Sequence, residues 1–155
     1  MEKSVIISVT GNQNTEHGDS NILELVTEGR YYKEDNAYYI TYNESEVTGL
    51  EGTTTTIKIV DDIVTLMRVG SVNSQFVFQK GRRHISYYDT LQGAFTIGVF
   101  ANSVDVKMDD NGGEISVDYQ IEIDNNKTGY NDFCMSIREA GCSNGKYYRE
   151  FKGNS

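Results

Sequence analysis

From Glu114 to Asp124 apolar and polar residues alternate without a break. Ile115, Val117, Tyr119, Ile121 and Ile123 fall on one side, and Glu114, Ser116, Asp118, Gln120, Glu122 and Asp124 on the other. A strand sends successive side chains to opposite faces, whereas a helix would spread these five apolar residues around its axis. The stretch predicts a half-buried strand with one wet face. The pattern recurs. Phe133, Met135 and Ile137 alternate with Cys134, Ser136 and Arg138, and Val5, Ile7 and Val9 with Ile6, Ser8 and Thr10.

Further segments rich in Val, Ile, Thr, Tyr and Phe, which suit a pleated half-buried surface, fall at 21–32, 37–43, 53–60, 63–69, 75–79, 85–90, 93–101 and 103–108. The links between them are short. Asp61-Asp62 is a two-residue connection, and Asp110-Asn111-Gly112-Gly113 contains Asn-Gly, a hairpin signal because both central residues accept positive φ. Lys80-Gly81-Arg82 and Gly49-Leu50-Glu51-Gly52 read as turns of the same kind. The broadest connection is 11–20, expected to lie over one barrel mouth or in solvent. No window of helical periodicity interrupts the series. So many strands in an open sheet would leave exposed ladders and curl strongly, and closure removes both problems. The tight links favour successive pairing over a Greek key, which needs a long return. The expected fold is all-β, an antiparallel up-and-down barrel of about 8–10 strands over residues 1–139, with a polar tail over 140–155.

Lys and Arg number 14 against 23 Asp and Glu, a net charge of −9. That acidic field disfavours phosphate backbones and anionic bilayers, so neither nucleic acid nor membrane is an expected partner. No apolar run approaches the ~18 residues of a membrane span, and the first residues lead directly into strand-like sequence. A cytoplasmic location is the expectation. Cys134 and Cys142 are too few for a disulfide framework and lack metal-ligand spacing.

Five motifs follow one another in order: Gly52-Thr53-Thr54-Thr55-Thr56-Ile57-Lys58-Ile59, Leu66-Met67-Arg68-Val69-Gly70, Phe76-Val77-Phe78-Gln79-Lys80-Gly81, Tyr88-Asp89-Thr90-Leu91-Gln92-Gly93 and Gly113-Glu114-Ile115-Ser116-Val117-Asp118-Tyr119. Together they resemble the YwiB-like family of bacterial calycin-type (lipocalin-like) β-barrels, over roughly residues 3–138. The resemblance implies a cytoplasmic barrel and brings no assigned activity or ligand with it.

Arg68 is the most informative polar residue. It shares a strand face with Val64 and Leu66, while Ile63, Met67 and Val69 occupy the other face. A guanidinium turned into a barrel needs partners, because an unpaired buried charge is very costly. Two readings follow: a clamp for a carboxylate or phosphate of a bound molecule, or a structural arginine paired with an internal Asp or Glu or with backbone carbonyls. Of the doublet Tyr87-Tyr88, one ring must face inward; Tyr88 and Thr90 share parity and, with Arg68 and Tyr119, would form a polar cluster able to orient a small ligand. The same tyrosines also serve as ordinary core residues with satisfied hydroxyls.

Lys80, Arg82, Arg83 and His84 form the one dense basic run, read either as an anionic docking point or, preferably, as a solvated hairpin tip. Asp109-Asp110-Asn111-Gly112-Gly113-Glu114 fails as a calcium loop, since Glu114 stands where glycine is needed and Gln120 where a bidentate glutamate is needed. His17 and His84 are far apart, no nucleophile–base pair can be assembled, and the acidic residues scatter along outward faces. The chain reads as non-enzymatic, without cofactor or metal. Its expected role is to bind a small amphipathic or anionic molecule in the barrel lumen through Arg68, Tyr88, Thr90 and Tyr119. The alternative is a barrel packed solid with aromatic side chains, acting as a structural or protein-interaction module, a homodimer included.

Overall fold

A computed structural model describes residues 2–15, 20–45, 50–90, 93–123 and 126–140; at 15, 20, 21, 88, 90, 127 and 128 it describes the main chain alone. Ten strands follow in chain order: β1 Glu2–Thr15, β2 Ser20–Glu34, β3 Ala37–Asn43, β4 Thr54–Val60, β5 Ile63–Val69, β6 Ser74–Phe78, β7 Arg83–Thr90, β8 Gly93–Asp109, β9 Gly112–Ile123 and β10 Asn126–Glu139. Their order in the sheet is β6-β5-β4-β3-β2-β1-β10-β9-β8-β7. Every neighbouring pair in this order is antiparallel, and β1 joins β10 through eleven facing positions from Val5–Glu139 to Thr15–Gly129. The sheet thus curls round on itself into a nearly closed barrel. Between β6 and β7 the described ladder is reduced to one antiparallel bridge, Asn73 with Asp89.

Alternation decides the inner wall. Val5, Ile7, Tyr31, Ile40, Ile57, Val64, Phe78, Val99, Ile115, Val117 and Ile137 are at most 2% exposed, and each belongs to the inward phase of its strand. Phe78, Tyr119 and Phe133 stack across the interior in tilted and edge-on pairs, with centroids 4.8 to 6.2 Å apart. Aromatic pairs prefer such offset geometries to a face-to-face sandwich. Below Tyr119 the lumen is a packed core.

Three connections differ from the sequence expectation. The broad loop over 11–20 is mostly strand: Gly11, Asn12, Gln13 and Asn14 face Leu23, Ile22, Asn21 and Ser20 of β2, and only 16–19 lie outside the described residues. Polar side chains hid a ladder that is held by backbone bonds rather than by apolar alternation. The segments 93–101 and 103–108 are one strand, because a bulge between Ala101 and Ser103 absorbs the extra residue and resets the phase. In the β8–β9 hairpin the two linking residues are Asp110 and Asn111, and the positive φ falls on Gly112 and Gly113 instead. Those glycines are required by contact as well as angle. A Cβ on Gly112 would strike the carbonyl oxygen of Ile137, and one on Gly113 that of Lys107. The expected tail is described only as far as Ala140, and 141–155 lie outside the described residues.

The barrel is lopsided. β3, β4, β5 and β6 have 7, 7, 7 and 5 residues, whereas β1, β2, β8, β9 and β10 have 14, 15, 17, 12 and 14. The excess stands at the end where β5 stops and β6 starts. There one wall is tall and the other short.

Candidate functional site

The short wall ends in polar side chains turned inward. Arg68, one residue before the end of β5, faces Thr55 of β4 and Ser74 of β6, so the three side chains share the inner face. Thr55 is fully buried and Ser74 nearly so. Glu44, just beyond β3, continues the inward phase of Ile40 and Tyr42, and its side chain is 1% exposed. Its backbone N–H donates to the Thr53 carbonyl (2.8 Å), which fixes its position past the strand end.

The carboxylate of Glu44 accepts the Thr55 hydroxyl and lies 3.8 Å from Arg68 Nε. Tyr42 completes the group: burial, then the Glu44 charge, push its hydroxyl well above the usual tyrosine range, against the opposing pull of Arg68. A buried carboxylate is therefore served by two hydroxyls and a nearby cation. Arg68 is less well served. Its Nε is buried and, with Ser74 Oγ, is a buried side-chain polar atom with no hydrogen-bond partner among the described residues. Such atoms each cost about 1–3 kcal/mol, so two adjacent ones on one face are notable in a barrel otherwise well satisfied.

Tyr119 reaches the same region from the opposite wall. Burial raises its hydroxyl pKa, Arg68 opposes the rise and Asp132 adds to it. From Tyr119 β9 runs on to Ile123, paired with Ile97 of β8 and Asn126 of β10. On the inner phase above Tyr119 stand Ile121 and Ile123, Phe95 of β8 (the phase of buried Ile97 and Val99) and Leu23 of β2 (the phase of Leu25). Leu23, Phe95 and Ile123 are exposed, because the short wall does not reach high enough to cover them.

Of the four residues expected to line a site, the structure brings Arg68 and Tyr119 together. The side chains of Tyr88 and Thr90 lie outside the described residues, while Tyr87 is exposed on the outer face. Glu44 and Ser74 were not anticipated. The inward parity of Ile40 and Tyr42 would have found Glu44, and the parity of Phe76 and Phe78 would have found Ser74. In the basic run, Arg83 of β7 pairs with Glu122 of β9 at 2.8 Å, and His84 Nε2 meets Gln79 Oε1 at 3.1 Å. Cys134 is exposed and meets the Ser116 hydroxyl.

Comparison with known proteins agrees with this architecture. The model of the domain of unknown function DUF1934 matches residues 7–135. The chain belongs to that family. It is 27% identical over 106 residues to the uncharacterized β-barrel protein YwiB of Bacillus subtilis (strain 168), covering 68% of this chain and 73% of that protein. The crystal structure of the ywiB protein from Bacillus subtilis superposes with a TM-score of 0.81 at 22% identity, over 90% of this chain and 93% of that one. The DUF1934 barrel is thus the frame in which the Arg68 cluster sits. Among the described residues no helix is long and apolar enough to cross a membrane.

Proposed function

We propose that this chain is a non-catalytic, cytoplasmic barrel that holds one small amphipathic molecule at its open end. The polar end of the molecule rests on Arg68 and Tyr119, and its apolar part lies against Leu23, Phe95, Ile121 and Ile123. One observation carries the reading: the buried Nε–H of Arg68 has no acceptor within hydrogen-bond distance among the described residues, at the foot of an exposed apolar wall of the same barrel. A guanidinium donates and never accepts, so the complementary group is an oxyanion or carbonyl oxygen. The ligand sits at the mouth rather than in the depth, where Phe78, Phe133 and the aliphatic residues fill the space.

Native mass spectrometry of gently purified protein, followed by titration with the fluorescent carboxylate 11-(dansylamino)undecanoic acid, tests this. The reading expects a one-to-one complex that Arg68→Met weakens at least about tenfold, as the loss of a charged hydrogen bond of roughly 1.5–3 kcal/mol requires, with the β-sheet signal kept. An apo mass together with no dye binding would remove the ligand reading. A second reading, a filled barrel acting as a protein-interaction module, draws on the solid core and on the exposed outward Ile85 and Tyr87 of β7. Dimer formation at micromolar concentration, abolished by Tyr87→Ser, would favour it.

A further inference from the structure

The wall is incomplete between β6 and β7. The Asn73–Asp89 pair exchanges both backbone bonds (3.1 and 2.9 Å) at one end, and the turn bond from Arg82 N to Gln79 O (2.9 Å) closes the other. Between these two clasps the described strands share no ladder. A groove of about 450 Å³ lies here, bordered by Ser74, Gln75, Val77, His84, Ser86 and Tyr87. The groove is lined by residues of both phases. Gln75 and Tyr87 stand on the outer surface, whereas Ser74 and Ser86 are buried on the inner face.

Ser74 links this gap to the site at the barrel mouth. It lines the groove and is the cross-strand neighbour of Arg68. The two buried atoms without a hydrogen-bond partner among the described residues, Ser74 Oγ and Arg68 Nε, therefore belong to cross-strand neighbours on the inner face, one of which borders the groove. Both can donate toward one acceptor. We propose that the gap between β6 and β7 is the side entrance of the ligand site, and that the group it admits is a carboxylate held jointly by Ser74 and Arg68. This rests on the reading of the barrel as a ligand carrier. A monoanion fits better than a phosphate dianion: the Glu44 carboxylate already lies 3.8 Å from the same guanidinium, and a second negative charge would be repelled at short range. The chain's overall negative charge adds to the same preference.

The antiparallel bridge sets Gln75 opposite Tyr87, so cysteines at these two exposed positions span the gap. In a Cys134→Ser, Cys142→Ser background, Gln75→Cys/Tyr87→Cys protein is cross-linked with dibromobimane, and closure is confirmed by mass. Stopped-flow binding of 11-(dansylamino)undecanoic acid is then compared before and after cross-linking, and equilibrium affinity is measured for Ser74→Ala. A side entrance slows association at least about tenfold on cross-linking, and Ser74→Ala weakens the carboxylate about fivefold while leaving the corresponding alcohol unchanged. Unchanged association in the verified cross-linked protein overturns the entrance, and unchanged affinity in Ser74→Ala overturns the carboxylate seat. In either case binding that still depends on Arg68 leaves the carrier reading standing. Absence of dye binding to the unmodified protein removes that reading and this one together.

Discussion

Arg68 Nε and Glu44 Oε2 stand 3.8 Å apart inside the barrel wall, one contributed by β5 and the other by the residue that follows β3. Glu44 is almost wholly buried, while Arg68 keeps about a fifth of its side chain in solvent. The two partners are unequal, and so are the consequences of removing them. Taking away Arg68 strands a buried carboxylate. Taking away the Glu44 charge leaves a cation that can turn outward.

Arg68→Met is therefore expected to destabilise the fold by about 2–3 kcal/mol, below the roughly 3–5 kcal/mol of a fully buried pair because Arg68 is partly solvated. Glu44→Gln should cost less, and Arg68→Met/Glu44→Gln less than the sum of the two. Urea midpoints of the three variants form the cycle. Strict additivity would mean that the charges do not interact.

Phe78 is 1% exposed and touches the rings of both Tyr119 and Phe133. It belongs to β6, the shortest of the described strands, which forms a ladder on one side only among them. The aromatic contact is thus a main anchor of that strand to the far wall. Phe78→Ala should cost about 3–5 kcal/mol, and hydrogen exchange of the β6 amides should rise more than that of β9. Equal acceleration in both strands would show that β6 has no separate dependence on the ring.

Much of the wall is legible because half-burial writes itself as alternation, as the inward sets of β1, β9 and β10 show at Val5, Ile7, Ile115, Val117, Met135 and Ile137. Legibility stopped where the chemistry changed. Gly11–Asn14 and the first residues of β10 are strands whose side chains are polar or small, so their pairing leaves no apolar trace. Asn102 interrupts the phase of β8 and made one strand look like two. Arg68 stood out because a charge on an apolar phase is anomalous. Its partner did not, since Glu44 lies 24 positions away and the approach is created by the β3–β4–β5 register.

Gly113 has φ +151 and a Cβ there would strike the Lys107 carbonyl, whereas Gly81 has φ +74 with open space where its Cβ would be. The same substitution thus separates angle from contact. Gly81→Ala should cost only the left-handed penalty of about 1–2 kcal/mol. Gly113→Ala adds a backbone collision that must pry β8 from β9 and should cost clearly more, read from thermal melts of the two variants. A smaller loss at Gly113 would mean that the hairpin gives way freely.

Alkaline pH should weaken the barrel through its tyrosines. Burial is the first cause holding the hydroxyls of Tyr31, Tyr42 and Tyr119 above the usual value, with Tyr31 also donating to the Asp109 carbonyl. In the unfolded chain these groups ionise near about pH 10. Above that pH the folded state keeps protons that the unfolded state has lost, so stability falls as pH rises. Their contribution is fully present below about pH 10 and is lost progressively above it as pH climbs toward the folded-state values. Urea midpoints should therefore hold level between about pH 8 and 9.5 and fall beyond about pH 10. Tyr42→Phe removes one such group, so its midpoint should start lower, for want of the bond to Glu44, and fall less steeply. Parallel slopes for the two proteins would show that the Tyr42 hydroxyl already reaches solvent in the folded barrel.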